Sequence, residues 1–272
     1  MNVKREGGAF GRVRLAPLAL AVVAASGLAL LGTWTWGRLH PRAMEAAGPP
    51  AAAGRTDATA RRTEVAFADA QAVWERAIAD GSGRRYAPAR LVFFSRATET
   101  PCAGGGAVSG PFYCAETGTA AFDLAFLATL GQRLGRNEEL GLALVAARIS
   151  AEHLQRELGM LDAAALRLVG AGRGRRAAIG EALELQGDCL TGVWAAAAAR
   201  RLGPVPADFW SQLVWSWRNV VDDLGARGIR VPPEFDVLAR ASQDSRQQAF
   251  RQGYAGRGLA ACPPPAEIVA RS

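Results

Sequence analysis

Arg148 and Glu152 stand four residues apart in a run, Glu138 to Leu158, that contains no proline and a single glycine, Gly141. Within it Leu140, Leu144, Ala147, Ala151 and Leu154 recur three or four apart, the period of one buried helix face. Residues four apart lie one above the other on a helix, so Arg148 and Glu152 have the spacing of an ion pair on an amphipathic helix. A second stretch with chemical potential is Gly170-Ala-Gly-Arg-Gly-Arg-Arg176. Its backbone amides could cradle a phosphate. It lacks P-loop spacing and a following Lys-Ser/Thr, so it reads as a surface loop.

The elements that must position these residues follow from periodicity and punctuation. Glu64 to Asp80 reads as a helix whose apolar face holds Phe67, Val73, Trp74, Ala77 and Ile78, stopped by Gly81-Ser-Gly83. Arg90 to Ser95, rich in Val and Phe, reads as a buried strand, and Thr119 to Leu124 as a second strand pairing with it. Between them, Thr100 to Gly118 is Gly- and Pro-rich and reads as a loop. Helical patterns cover Phe126 to Arg133 and, after a connection over 159–176, Ala177 to Arg201, which carries Glu184, Asp188, Cys189 and Trp194. Asp208 is placed to cap a helix running to Leu224 that holds Trp210, Trp215 and Trp217, whose spacing suits a core. A last helix is expected from Pro233 to Gly253.

Net charge first suggests a nucleic-acid partner and then excludes one. The chain carries 32 Lys+Arg against 25 Asp+Glu. Of these, residues 1–63 hold nine basic and three acidic residues, which leaves 64–272 nearly neutral and without a basic, aromatic-laced stripe. Residues 15–36 contain no charge, enough for a helix of 1.5 Å per residue to cross a bilayer core of about 30 Å. Trp34 and Trp36 mark its end. Lys4, Arg5, Arg12 and Arg14 precede it and Arg38 and Arg42 follow, a bias that favours a cytoplasmic N-terminus. A cleaved signal peptide competes, but the apolar span exceeds the usual signal core. The expected organisation is therefore a cytoplasmic segment (1–14), a transmembrane anchor (15–36), a disordered Ala-, Gly- and Pro-rich linker (37–63) and an extracytoplasmic domain (64–272).

An even set of cysteines in such a compartment reads as disulfides. Of the three possible pairings, the close pair flanking one loop favours Cys102–Cys114, leaving Cys189–Cys262 to tie the C-terminus to a helix. A four-thiolate zinc site lacks any Cys-x-x-Cys spacing to support it.

Several blocks together carry a resemblance. They are Asp69 to Trp74, Leu91 to Ser95, Pro101-Cys102, Gly110-Pro-Phe-Tyr-Cys114, Phe122 to Phe126, Glu184-Leu-Gln-Gly-Asp-Cys-Leu-Thr-Gly-Val-Trp194, Ser242 to Gly253 and Cys262. In order and spacing, over residues 64 to 262, the chain resembles the neutral zinc metallopeptidase family. The resemblance implies an α+β, predominantly helical, zincin-like fold with a small β element, preceded by one transmembrane helix. It also implies zinc, held by His-Glu-x-x-His on the helix expected over Glu138 to Leu158. Two histidines four apart point from one helix face at the ion, and the intervening Glu takes a proton from zinc-bound water.

Here Arg148 and Glu152 occupy the two ligand positions and Ile149 that of the base. His153 keeps a family identity that was not a ligand, and the other histidine of the chain is His40. The family's Glu-x-x-x-Asp, a third ligand with an acid that orients another, maps onto Glu184 and Asp188. The expectation is a degenerate site of Arg148, Ile149, Glu152, Glu184 and Asp188, with no catalytic residue and no bound zinc. Arg148 would supply the missing positive charge, within hydrogen-bond reach of Glu184. The protein would then act as a binding or regulatory module of the bacterial cell envelope, its partners the membrane and a protein or peptide, with no nucleic acid. The alternative is an active metallopeptidase with a non-standard site of Glu152, Glu184 and His153. Adjacent residues diverge by about 100° around a helix, which makes that set hard to converge.

Overall fold

A computed structural model describes residues 50–268 apart from 83–84, 104–105, 230, 232–235 and 237. The expected cytoplasmic segment, the anchor over 15–36 and His40 lie outside these residues. Among the described residues no helix is long and apolar enough to cross a membrane.

The domain is mostly helical with a small sheet, an α+β arrangement. Helix α1 (Pro50–Ser82) leads into strands β1 (Arg90–Phe94), β2 (Thr98–Glu99), β3 (Ala107–Val108), β4 (Phe112–Cys114) and β5 (Thr119–Asp123). Six helices follow: α2 (Leu124–Leu134), α3 (Glu138–Glu157), α4 (Met160–Leu168), α5 (Arg173–Leu202), α6 (Phe209–Ala226) and α7 (Gln243–Gly256).

The start of α1 corrects the linker boundary. Residues 50–63 are helical, with Thr59 and Thr63 buried and Arg62 paired with Glu138 at 3.2 Å. Alanine-rich composition removes large apolar residues but favours helix, and packing against α3 supplies the burial that composition alone could not predict.

In the main sheet the order is β1-β5-β4. β1 runs parallel to β5 in register from Arg90↔Thr119 to Phe94↔Asp123, whereas β4 pairs antiparallel with β5. Parallel neighbours need a long crossover. Residues 95–118 provide it, and they hold the β2–β3 ribbon and the fully buried β4 rather than loop alone. The Cys102–Cys114 disulfide pins this crossover. Asp123 pins its other side: its carboxylate accepts from the amides of Arg96, Gly110, Ala125 and Phe126, joining the crossover to the start of α2. β1 is only half-buried, not the buried strand expected.

Helix α3 departs from the one-sided pattern. Every residue from Gly141 to Ala151 is buried, because α1, α2, α5 and the sheet all pack against it. A helix enclosed in this way must find partners for each of its polar side chains. The most intimate packing lies behind it, between α5 and α7. A Cβ at Gly192 would sit 2.1 Å from the Phe250 carbonyl oxygen, and one at Gly253 1.8 Å from that of Cys189. The two backbones touch at these glycines, and the Cys189–Cys262 disulfide locks the C-terminal segment to the same place.

Two further expectations need correction. The connection over 159–176 contains α4 and the first turn of α5, and α7 begins at Gln243 rather than Pro233. Trp210 and Trp217 are core residues, but Trp215 on the same helix is 58% exposed.

Candidate functional site

The buried ionic cluster is assembled from three helices and one turn. Helix α3 brings Arg148 and, one turn on, Glu152. Helix α5 brings Glu184 and Asp188, also one turn apart. Helix α7 brings Arg246, and the turn before it brings Arg240. Arg148 donates from Nε to Asp188 Oδ1 and from Nη1 to Glu152 Oε1, both at 3.0 Å. Arg246 donates from Nη1 to both Asp188 oxygens, at 2.8 and 3.1 Å, and from Nη2 to Glu184. Glu184 also accepts from Arg240 Nη1 at 3.0 Å and from the backbone amides of Arg240 and Ala241 at 2.9 and 3.0 Å. Among the described residues three arginines meet three carboxylates, and these six charges balance. Arg148, Arg246, Glu184 and Asp188 are buried, whereas the side chains of Glu152 and Arg240 are 21% and 35% exposed.

Gly187 makes this geometry possible. A Cβ there would lie 2.7 Å from Arg148 Cζ, so the guanidinium lies against the backbone of α5 in the turn between Glu184 and Asp188. Burial pulls the Arg148 pKa down, but Glu152, Asp188 and Glu184 outweigh it, and the group stays charged with its pKa raised. Burial pushes the carboxyls of Glu152 and Asp188 above their ordinary range, against the pull of Arg148 on the first and of Arg246 and Arg148 on the second.

The remaining residues singled out in the sequence lie elsewhere on α3. Ile149 is buried in the apolar core. His153 is buried toward the sheet, where Nε2 lies 2.6 Å from the Ala87 carbonyl oxygen and Nδ1 2.8 Å from the Tyr113 hydroxyl. A carbonyl only accepts, which assigns the proton to Nε2 and makes the Tyr113 O–H the donor to Nδ1. Burial lowers the His153 pKa and pushes that of Tyr113 up to about 12.

Arg246 was not anticipated. Its signal is the stripe Arg246, Phe250, Gly253 on α7: an arginine four residues before an aromatic and seven before a contact glycine shares the buried face, and a buried arginine requires acids. The sequence also paired Arg148 with Glu184 first. The hydrogen bonds described for Arg148 go to Asp188 and Glu152, and the hold on Glu184 falls to Arg246 and Arg240.

With the geometry established, comparison with known proteins places the chain. A sequence model of the family described as "Putative neutral zinc metallopeptidase" matches residues 5–264. The chain belongs to this family. It is 25% identical over 209 residues to the uncharacterized protein YpfJ of Escherichia coli K12, covering 76% of this chain and 71% of that one. The same figures hold for YpfJ of Escherichia coli O6:H1. No solved structure matches the chain.

The family name implies zinc, and the donors here do not fit it. A zinc site needs about four ligands drawn from thiolates, neutral imidazoles and carboxylates. All four cysteines are bridged and His153 is committed on the far side of α3. Each of the three carboxylates already faces a guanidinium, and two of those guanidiniums are fully buried among them, where they would repel a dication. Among the described residues no group of three His, Cys, Asp or Glu side chains is arranged to hold a metal ion.

Proposed function

We propose that this protein is a pseudopeptidase: a membrane-anchored, extracytoplasmic member of its family that keeps a zincin-like fold without hydrolysis and serves as a binding or regulatory module. The observation that carries this reading is Arg148, buried against Gly187 between Asp188 and Glu152, where the family motif would place a zinc ligand. A permanently ionised side chain cannot bind a metal and cannot take a proton from water. Ile149, at the position of the general base, offers no titratable group. The anchor is supported by the uncharged run over 15–36 and the arginines before it. The compartment is supported by two disulfides, which persist outside the cytosol.

The test is a cleavage assay on the purified full chain with casein and with short peptides, with and without chelator. No chelator-sensitive cleavage is expected. Cleavage that chelator abolishes and zinc restores would overturn the reading.

A further inference from the structure

On its outer side the ionic cluster opens into a cavity of about 660 Å³ between α3, α4 and the start of α5. That volume lies within the range of ligand pockets, about 300–1,000 Å³. Three features of its lining point to one kind of occupant.

The first is an unbalanced charge. Arg148 and Arg240 at the floor belong to the neutral cluster, but Arg173 and Arg176 at the wall do not. Both are exposed and three residues apart on α5, hence on one face. Arg176 donates from Nε to the Ala171 carbonyl, and Arg173 has no hydrogen bond or ion pair among the described residues. Two guanidiniums without a carboxylate therefore flank the cavity, and a guanidinium matches a carboxylate through two parallel N–H donors.

The second feature is an apolar wall of Leu161, Leu168 and Leu183 facing the same space. The third is Glu152. One of its oxygens accepts from Arg148, and the other has no partner among the described residues, so the floor carries an open acceptor for an N–H donor.

We propose that this cavity binds a short acidic peptide segment, with acidic side chains on Arg173 and Arg176, apolar side chains against the leucines and a backbone N–H on Glu152. Inorganic phosphate could satisfy only the arginines. A fatty-acid anion would add the leucine wall but brings no N–H donor. A peptide of mixed apolar and acidic residues satisfies all three. The proposal rests on the binding-module reading above and names the ligand class of the same cleft.

The test uses the full chain in a zwitterionic detergent and two fluorescently labelled hexapeptides, one alternating Leu and Glu and one alternating Leu and Gln, followed by anisotropy. The Leu/Glu peptide should bind about tenfold more tightly, as expected for two solvent-accessible charge pairs, and the preference should shrink with added salt. R173E/R176E, at exposed positions outside the core, should melt like the parent and lose or reverse the preference. Equal affinity for the two peptides, no binding of either, or an unchanged preference in R173E/R176E would overturn the proposal. So would displacement of the Leu/Glu peptide by equimolar inorganic phosphate or laurate. Zinc-dependent cleavage of a peptide in the same preparation would instead overturn the pseudopeptidase reading, whatever the charge preference.

Discussion

Two faces of helix α3 bury polar side chains by opposite means. On the face toward α5 and α7, Arg148 and Glu152 are charged, and their neutralisation draws in Asp188, Glu184, Arg246 and Arg240 from three separate segments. On the face toward the sheet, His153 is neutral, and two contacts, Tyr113 and the Ala87 carbonyl, complete it. The difference is one of electrostatic range. A neutral group needs its hydrogen bonds and nothing more, whereas a buried charge recruits counter-charges until the local sum vanishes. The charged face is therefore fragile to the loss of any of its buried members, and the neutral face fragile to pH.

The sharpest break comes from the two buried arginines. Arg246→Met would leave the buried carboxylates of Asp188 and Glu184 short of a partner, and Arg148→Ala would do the same to Asp188. Removing one member of a buried ion pair costs about 3–5 kcal/mol, so each variant should unfold at clearly lower denaturant in an equilibrium titration. Arg148→Leu combined with Asp188→Leu should recover part of the loss relative to Arg148→Ala, because an apolar replacement leaves fewer charges stranded. Full stability of Arg246→Met would mean that the cluster is not held together as described.

The neutral face is tested by pH. Burial lowers the His153 pKa, so the unfolded chain binds the proton first as pH falls. Its stabilising contribution is whole above the ordinary histidine pKa of about 6.5 and is lost as pH drops through that value toward the lowered folded one. The loss should approach about 1.4 kcal/mol per pH unit for the single proton. Glu152 and Asp188 titrate with raised pKa values and act in the opposite sense, so the histidine is isolated by difference. Between pH 7 and 5.5 the parent should lose stability relative to His153→Gln; parallel pH profiles would contradict the assignment.

Arg240 should matter least. Its side chain is 35% exposed, and Glu184 keeps the amides of Arg240 and Ala241 whatever side chain stands there. Arg240→Ala should cost about 0–1 kcal/mol in the same titration. A loss as large as that of Arg246→Met would show that the exposed arm of the cluster is as important as the buried one.

How far this was legible in the sequence depends on which contacts are local. Arg148, Ile149 and Glu152 were placed from one helix, since their spacing alone fixes their faces, and the two disulfides followed from parity and compartment. Arg246 lies 98 residues from Arg148, and only its stripe with Phe250 and Gly253 hinted that it is buried. The partner order was misassigned for a related reason: Glu184 and Asp188 share one face of α5, and only the third helix decides which arginine takes which acid. Helix α4 was hidden by its shortness between Gly159 and Gly170, and residues 50–63 by an alanine-rich composition whose burial comes from α3. β4 was hidden because its five-residue neighbourhood, Gly110-Pro-Phe-Tyr-Cys114, reads as a turn until β5 pairs with it.

If arginines supply the positive charge that a zinc ion would otherwise bring to Glu184 and Asp188, a metal titration will show it. Purified full chain, dialysed against a small excess of zinc and then against buffer, would be analysed for metal per chain, beside R148H/I149E/E152H and the same variant with Arg240→Ala. The parent should retain well under one zinc. The triple variant should bind weakly, because Arg246 and Arg240 still hold Glu184, and adding Arg240→Ala should tighten it. One zinc per chain in the parent, removable by chelator, would mean that the arginines do not replace the metal.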